Sequence, residues 1–132
     1  MTVGTSGFSI AGYPKAVPTA LARRAEKGER IKITLITGAS VGDEIDGQLA
    51  RAGVIARRYP YQSNKSMSDL INDNEIAYVD MYLSQVPFFI KNGYFGKIDV
   101  AVIEASASTS RATSSPARRS AAPTRWWNTP KK

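Results

Sequence analysis

Hydrophobic and polar positions repeat along the first hundred residues with two different periods, and each change of period marks a new element. Ile31-Lys32-Ile33-Thr34-Leu35-Ile36-Thr37 is a β-branched run, and Ile98-Asp99-Val100-Ala101-Val102-Ile103 is a more continuous apolar one. The first predicts a strand and the second a buried strand. Residues 2–8 and 54–59 read as further strands. Between the strands the spacing lengthens to a helical one at 18–27, about 43–52, 66–72 and 86–92, and Gly28, Gly53 and Gly93 supply stop signals. Ser66-Met67-Ser68-Asp69 resembles a capping box, with an acid in place of glutamate. Residues 76–83 are extended or mixed. This alternation predicts an α/β fold, an open and mostly parallel sheet with covering helices.

After Ala107 the pattern stops. Residues 108–132 are mostly Ser, Thr, Ala, Arg and Pro without apolar periodicity, and they carry the adjacent pair Trp126-Trp127. The expected organisation is one partial α/β domain over 1–107 and a disordered basic tail over 108–132.

Composition narrows the chemistry. The chain has 132 residues, enough for one domain, with no cysteine and no histidine. A disulfide framework, a thiolate nucleophile, a zinc site and a Ser-His-Asp triad are therefore excluded within it. No stretch approaches a membrane span and the first residues lack a signal-peptide pattern, so a cytoplasmic setting is the default expectation. The net charge of +7 invites a nucleic-acid reading, but its distribution argues against one. Residues 1–108 hold twelve basic side chains against all eleven acids, whereas Arg111, Arg118, Arg119, Arg125, Lys131 and Lys132 stand without an acid among them. The excess charge belongs to the tail and implies no folded basic face.

In an open parallel sheet, ligands bind beyond the carboxyl ends of the strands. Three such ends are rich in small polar residues: 4–12, 38–42 and 60–64. Gly7, Gly12 and Gly38 let the backbone approach a ligand closely, and a helix beginning near Pro18 aims its free N–H groups at the first turn. Ser40 and Ser63 can each offer a hydroxyl to a substrate oxygen, but capping of the helix that follows is the favoured use of a lone loop serine. Asp43, Glu44 and Asp46 fit dipole stabilisation at a helix N-terminus and read as structural. Glu104 reads as a satisfied polar group at a strand edge in preference to a catalytic carboxylate. The spacing of the glycines matches neither dinucleotide nor P-loop fingerprints.

Taken in order, these segments resemble one family. Gly-Thr-Ser-Gly-Phe-Ser-Ile-Ala-Gly-Tyr-Pro-Lys-Ala-Val-Pro at 4–18 is similar to the first signature of the acetyl-CoA hydrolase/transferase family, the branch of class I CoA-transferases that includes succinyl-CoA:acetate CoA-transferases. Ile33–Gly42 with Asp46-Gly47-Gln48-Leu49-Ala50 resembles its second, and Arg57-Arg58-Tyr59-Pro60-Tyr61-Gln62-Ser63-Asn64 and Gly93-Tyr94-Phe95-Gly96-Lys97-Ile98-Asp99-Val100-Ala101-Val102-Ile103-Glu104-Ala105 continue in register. The resemblance covers 2–107. It implies a longer, homodimeric enzyme of acetyl-CoA and short-chain acyl-CoA metabolism, with coenzyme A thioesters and small carboxylates as substrates, no metal, and no nucleic-acid or membrane partner. A glutamate in its second half attacks the thioester and carries CoA as a glutamyl thioester, with backbone N–H groups steadying the oxyanion.

Carried over by position, Ser40 matches a residue that contacts the acyl or carboxylate substrate, Ser63 aligns with a serine or threonine of similar role, and the 4–12 loop borders that pocket. No residue here matches the nucleophile, so the chain is expected to be an amino-terminal fragment that is inactive alone. The alternative expectations are a non-enzymatic α/β binding protein with a basic tail and a subunit of a full-length paralogue. Met1 falls inside the first strand, where the family has a preceding helix. Where the family continues with Gly-His-Ile-Val-Pro, this chain reads Arg111-Ala112-Thr113-Ser114-Ser115-Pro116. Codons CGG GCC ACA TCG TCC CC for that run, read two bases on, encode Gly-His-Ile-Val-Pro, so a frameshifted tail is the expectation.

Overall fold

The computed structural model describes residues 1–39, 41–108 and 114–116. Its elements are β1 (Thr2–Thr5), α1 (Ala16–Glu26), β2 (Ile33–Ile36), α2 (Asp46–Arg51), β3 (Ile55–Tyr59), α3 (Lys65–Asn72), β4 (Ala77–Tyr78), a 3-10 turn (Leu83–Gln85), α4 (Val86–Lys91) and β5 (Val100–Val102). β1 to β5 form a five-stranded sheet in the order β4-β3-β2-β1-β5, with every pairing parallel. β6 (Ala105–Ser108) and β7 (Ser114–Pro116) form a separate antiparallel pair that takes in the first residue and a short stretch of the expected tail. Residues 109–113 and 117–132, the rest of that tail, lie outside the described residues.

This strand order dictates where the helices go. Three successive crossovers lead in one direction from β1 to β4, and the fourth returns past β1 to β5. Right-handed connections then put α1, α2 and α3 on one face and α4 on the other. The core divides accordingly. Val3, Ala22, Ile33, Leu35, Ile45, Leu49, Ala50, Ile55 and Met67 are buried together on the first face. On the second, Ile36, Tyr59 and Val86 are buried, with Met81, Leu83, Ile90, Phe95 and Ile98 against them. Leu35 and Ile36 are neighbours in sequence and belong to opposite cores, as the two-residue period of a strand requires.

β3 breaks that period. Ile33 pairs with Ile55, but Thr34 pairs with Arg57, so Ala56 is an extra residue that β2 does not match. Such a bulge turns every later side chain of β3 to the other side. Ile55 and Tyr59 therefore face opposite cores although they are four residues apart, and Arg58 comes into line with Leu35 on the helix-covered face.

Several expectations need adjustment. β5 is the edge strand and Val100 is 41% exposed, so its apolar run is not buried on both faces. α2 begins at Asp46, after a turn over residues 43–45, and not near Asp43. α3 is capped by Asn64, whose side-chain oxygen accepts from Met67 N at 3.3 Å; the helix thus starts one residue before the Ser66 of the expected capping box. The glycine stops hold: Gly28, Gly53 and Gly93 follow the last turns of α1, α2 and α4 with positive φ.

Leu49 is 1% exposed in the larger core. Leu49→Ala is expected to cost about 3 kcal/mol through lost apolar contact and the cavity left behind. Chemical denaturation checks this, and a loss below about 1 kcal/mol would contradict the burial described.

Candidate functional site

The sheet reverses its winding between β1 and β5, and the crevice beyond the carboxyl ends of those strands is where an open α/β sheet binds ligands. The loop after β1 is fastened at its base. Ser6 N donates to Val102 O at 3.0 Å, its hydroxyl donates to Gly12 O at 2.7 Å, and the same hydroxyl oxygen accepts from Glu104 N at 2.9 Å. The tip is closed by a two-way backbone bridge between Phe8 and Ala11, at 2.9 and 3.1 Å. It presents Phe8 and Ile10 outward, with Ile10 82% exposed.

The loop after β2 lies directly against this base. A side chain added at Gly38 would start 2.0 Å from the carbonyl oxygen of Gly7, and one at Gly42 would start 2.1 Å from the phenol end of Tyr13. Gly7 itself has φ +131, a left-handed conformation, and Tyr13 Cβ stands 2.6 Å from where its own Cβ would be. These two loops touch backbone to backbone because glycine occupies the points of contact. Tyr13 locks them further: its hydroxyl donates to Glu44 at 2.7 Å, and the Lys15 ammonium lies 4.3 Å from its ring centroid. Burial and the Glu44 carboxylate push the Tyr13 phenol up to about 12, while its hydrogen bond holds Glu44 below the usual carboxylate range.

The loop after β3 is laced to the second. Asn64 Nδ2 donates to Asp43 at 3.2 Å, and Arg51 donates to the same carboxylate at 2.7 Å, which holds Asp43 below its ordinary value. Within the third loop Gln62 Oε1 accepts from Asn64 N at 2.8 Å and Gln62 Nε2 donates to Ser68 Oγ at 3.0 Å. Next to it an apolar hollow of about 740 Å³ is lined by Tyr61, Val79, Met81, Tyr82 and Phe89, with Asp80 as its charged side chain.

Of the residues expected at a site, the structure brings Gly7, Gly12 and Gly38 together at the joined bases of the first two loops. Ser63 lies exposed on the third loop between Gln62 and Asn64, and the capping role open to it belongs to Asn64. Ser40, and with it the alternative that it caps α2, lies outside the described residues. Glu104 is engaged with Lys15 at 3.4 Å. The acids at 43, 44 and 46 are each held by a specific partner (Arg51, Tyr13 and Arg58), and of the three it is Asp46 that lies in the first turn of α2. Sequence reasoning missed Tyr13 and Arg58. A tyrosine in a glycine-rich loop is a weak signal of a lock, and nothing in the strand pattern marks the bulge at Ala56. Among the described residues no group of three or more acidic, histidine or cysteine side chains is placed to hold a metal ion, and no helix is long and apolar enough to cross a membrane.

An open parallel sheet with interlocked glycine loops at its carboxyl edge defines an open-sheet α/β domain. The chain belongs to the acetyl-CoA hydrolase/transferase N-terminal domain family, whose pattern it matches over residues 1–113. It is 48% identical over 110 residues to a succinyl-CoA:acetate CoA-transferase of Clostridium kluyveri, covering 83% of this chain and 20% of that protein. It is 46% identical over 109 residues to a propanoyl-CoA:succinate CoA transferase of Escherichia coli K12, covering 80% and 22%. An acetyl-CoA hydrolase of Neurospora crassa is 39% identical over 113 residues, covering 79% and 22%. The chain thus spans about a fifth of the length of these curated relatives.

Two outcomes follow from this geometry. Gly38→Ala drives a methyl group against the Gly7 carbonyl, and its denaturation midpoint is expected to fall by the equivalent of about 1–3 kcal/mol, whereas an unchanged midpoint would show that the loops are not in contact. The Tyr13 phenol is held neutral in the fold up to about pH 12, against an ordinary phenol value of 10.0. Its contribution is therefore complete below about pH 10 and is lost as pH rises toward 12, because only the unfolded chain releases the proton in that window. Melting temperatures measured from pH 9 to 12 should fall less steeply for Tyr13→Phe than for the parent; equal slopes would refute the assignment.

Proposed function

We propose that residues 1–107 form the acyl- and carboxylate-binding wall of an acyl-CoA:carboxylate CoA-transferase or acetyl-CoA hydrolase site. Ser40, Ser63 and the backbone at Gly7, Gly12 and Gly38 face the substrate in this reading. Coenzyme A enters as a thioester substrate and not as a resident group. The observation that carries the reading is the backbone contact between Gly7 and Gly38, which places two amide-rich loops side by side at the carboxyl edge without intervening side chains. Such loops can approach a carboxylate or a developing oxyanion closely. The names of the relatives supply the reaction class: transfer of CoA between carboxylates in two of them and acetyl-CoA hydrolysis in the third.

Transfer by this family's route needs a carboxylate nucleophile to attack the thioester carbonyl. Glu104 is not given that role, because its carboxylate faces Lys15 and its backbone N–H is committed to Ser6. The nucleophile is read as belonging to sequence beyond the matched segment, so the chain by itself does not turn over acyl-CoA. Residues 108–132, read as a frameshifted continuation, contribute nothing to the site. A cytoplasmic homodimer is the setting that goes with the full-length form.

The test is a titration of the chain with acetate, propionate and succinate, followed through its backbone amide resonances, alongside a free-thiol assay with acetyl-CoA. Shifts confined to 7–12, 38–42 and 61–64, with CoA release at the uncatalysed rate, are expected. Absence of shifts at tens of millimolar carboxylate, or release above background, would overturn the proposal.

A further inference from the structure

Arg58 and Asp46 form an ion pair in which both side chains are fully buried. Arg58 Nε donates to Asp46 Oδ1 at 2.9 Å and Nη2 donates to Oδ2 at 3.2 Å. Two further bonds leave this pair, and both reach the ends of loops. Arg58 Nη1 donates to the carbonyl oxygen of Tyr59, which also accepts from Thr37 N at 3.1 Å. Asp46 Oδ2 accepts from Val41 N at 3.2 Å. The residue just before Gly38 and the residue just after Ser40 are thus both tied into one buried network. Tyr59 is also the residue from which the 60–64 loop departs.

We propose that the Arg58–Asp46 pair is a positioning device, a common footing that fixes the loops at 38–40 and 60–64 relative to each other; the inference rests on the functional reading above. A buried ion pair gains little over well-fitted apolar side chains of the same volume, because desolvation offsets its attraction. What a two-bond fork supplies is orientation. Here the oriented groups are the backbone atoms that set where both loops begin. Asp46 suits the task because it opens α2, where the helix dipole favours a negative charge, and the bulge at Ala56 is what brings Arg58 to the same face.

The test replaces the pair by apolar side chains in the full 132-residue chain, as Arg58→Met with Asp46→Leu. Amide hydrogen exchange is then read at Thr37 and Val41 and compared with Ile33 and Thr34, whose N–H groups bond within the sheet region to Val54 O and Met1 O. The expected result is core exchange within about threefold of the parent, with Val41 faster by at least about 100-fold and Thr37 by at least about tenfold. Carboxylate affinity at 38–42 should weaken by about tenfold, as expected when pre-organisation is lost. Parallel acceleration of core and loop amides, or no acceleration at the loop, would overturn the proposal. Arg58→Lys, which keeps the charge and loses the fork, should show the same pattern at smaller amplitude and stands in if the double variant fails to fold. Failure of both to fold assigns the pair to stability alone and also overturns the proposal. If the parent binds no carboxylate while the loop amides respond as stated, the footing holds and the substrate reading fails.

Discussion

A single unmatched residue in β3, Ala56, determines which core receives Arg58. Without the bulge, Arg58 would lie on the face opposite Ile55; with it, the guanidinium points under α2 and meets Asp46 at full burial. Burying a guanidinium is unfavourable unless its donors find partners, so the surroundings of Arg58 have limited freedom. The carboxylate, the end of β3 and the backbone on both sides of 38–40 are held where those donors require them.

The carboxyl edge is built on that footing by close contact. Gly38 lies on the carbonyl of Gly7 and Gly42 on the ring of Tyr13, while Ser6 joins the first loop to the end of β5. The third loop is tied in through Asn64 and Asp43. Polar atoms at this edge are largely occupied with one another. Under the proposed function a substrate would meet backbone N–H groups and small side chains whose arrangement is set before it arrives, which would lower the entropy lost on binding. The second face contrasts with this. There α4 is short, Tyr82, Phe88 and Tyr94 are largely exposed, and aromatic contacts run outward from Tyr59 through Phe95 and Phe89.

The fold class could be read from the sequence because the β-branched run of β2 and the glycine stops after α1, α2 and α4 are local signals with local causes. Gly7, Gly12 and Gly38 were legible as a group for the same reason. What joins them was not. The partnership of Tyr13 with Glu44 spans thirty-one positions and that of Ser6 with Glu104 ninety-eight, distances over which a single sequence carries no pairing information. Arg58 was hidden for a different reason: strict alternation places it away from Ile55, and only the pairing register reveals the inversion. The exposure of β5 follows from its place at the sheet edge, which an apolar run does not disclose.

A structure of the chain determined with succinate bound tests the central claim most directly, that the loops after β2 and β3 form one pre-arranged carboxylate-binding edge. The account predicts the carboxylate within hydrogen-bond reach of residues from both 38–42 and 60–64, with the Arg58–Asp46 pair unchanged beneath them. Succinate seated instead in the hollow lined by Tyr61, Tyr82 and Phe89, or bound only after the two loops have moved apart, would contradict it.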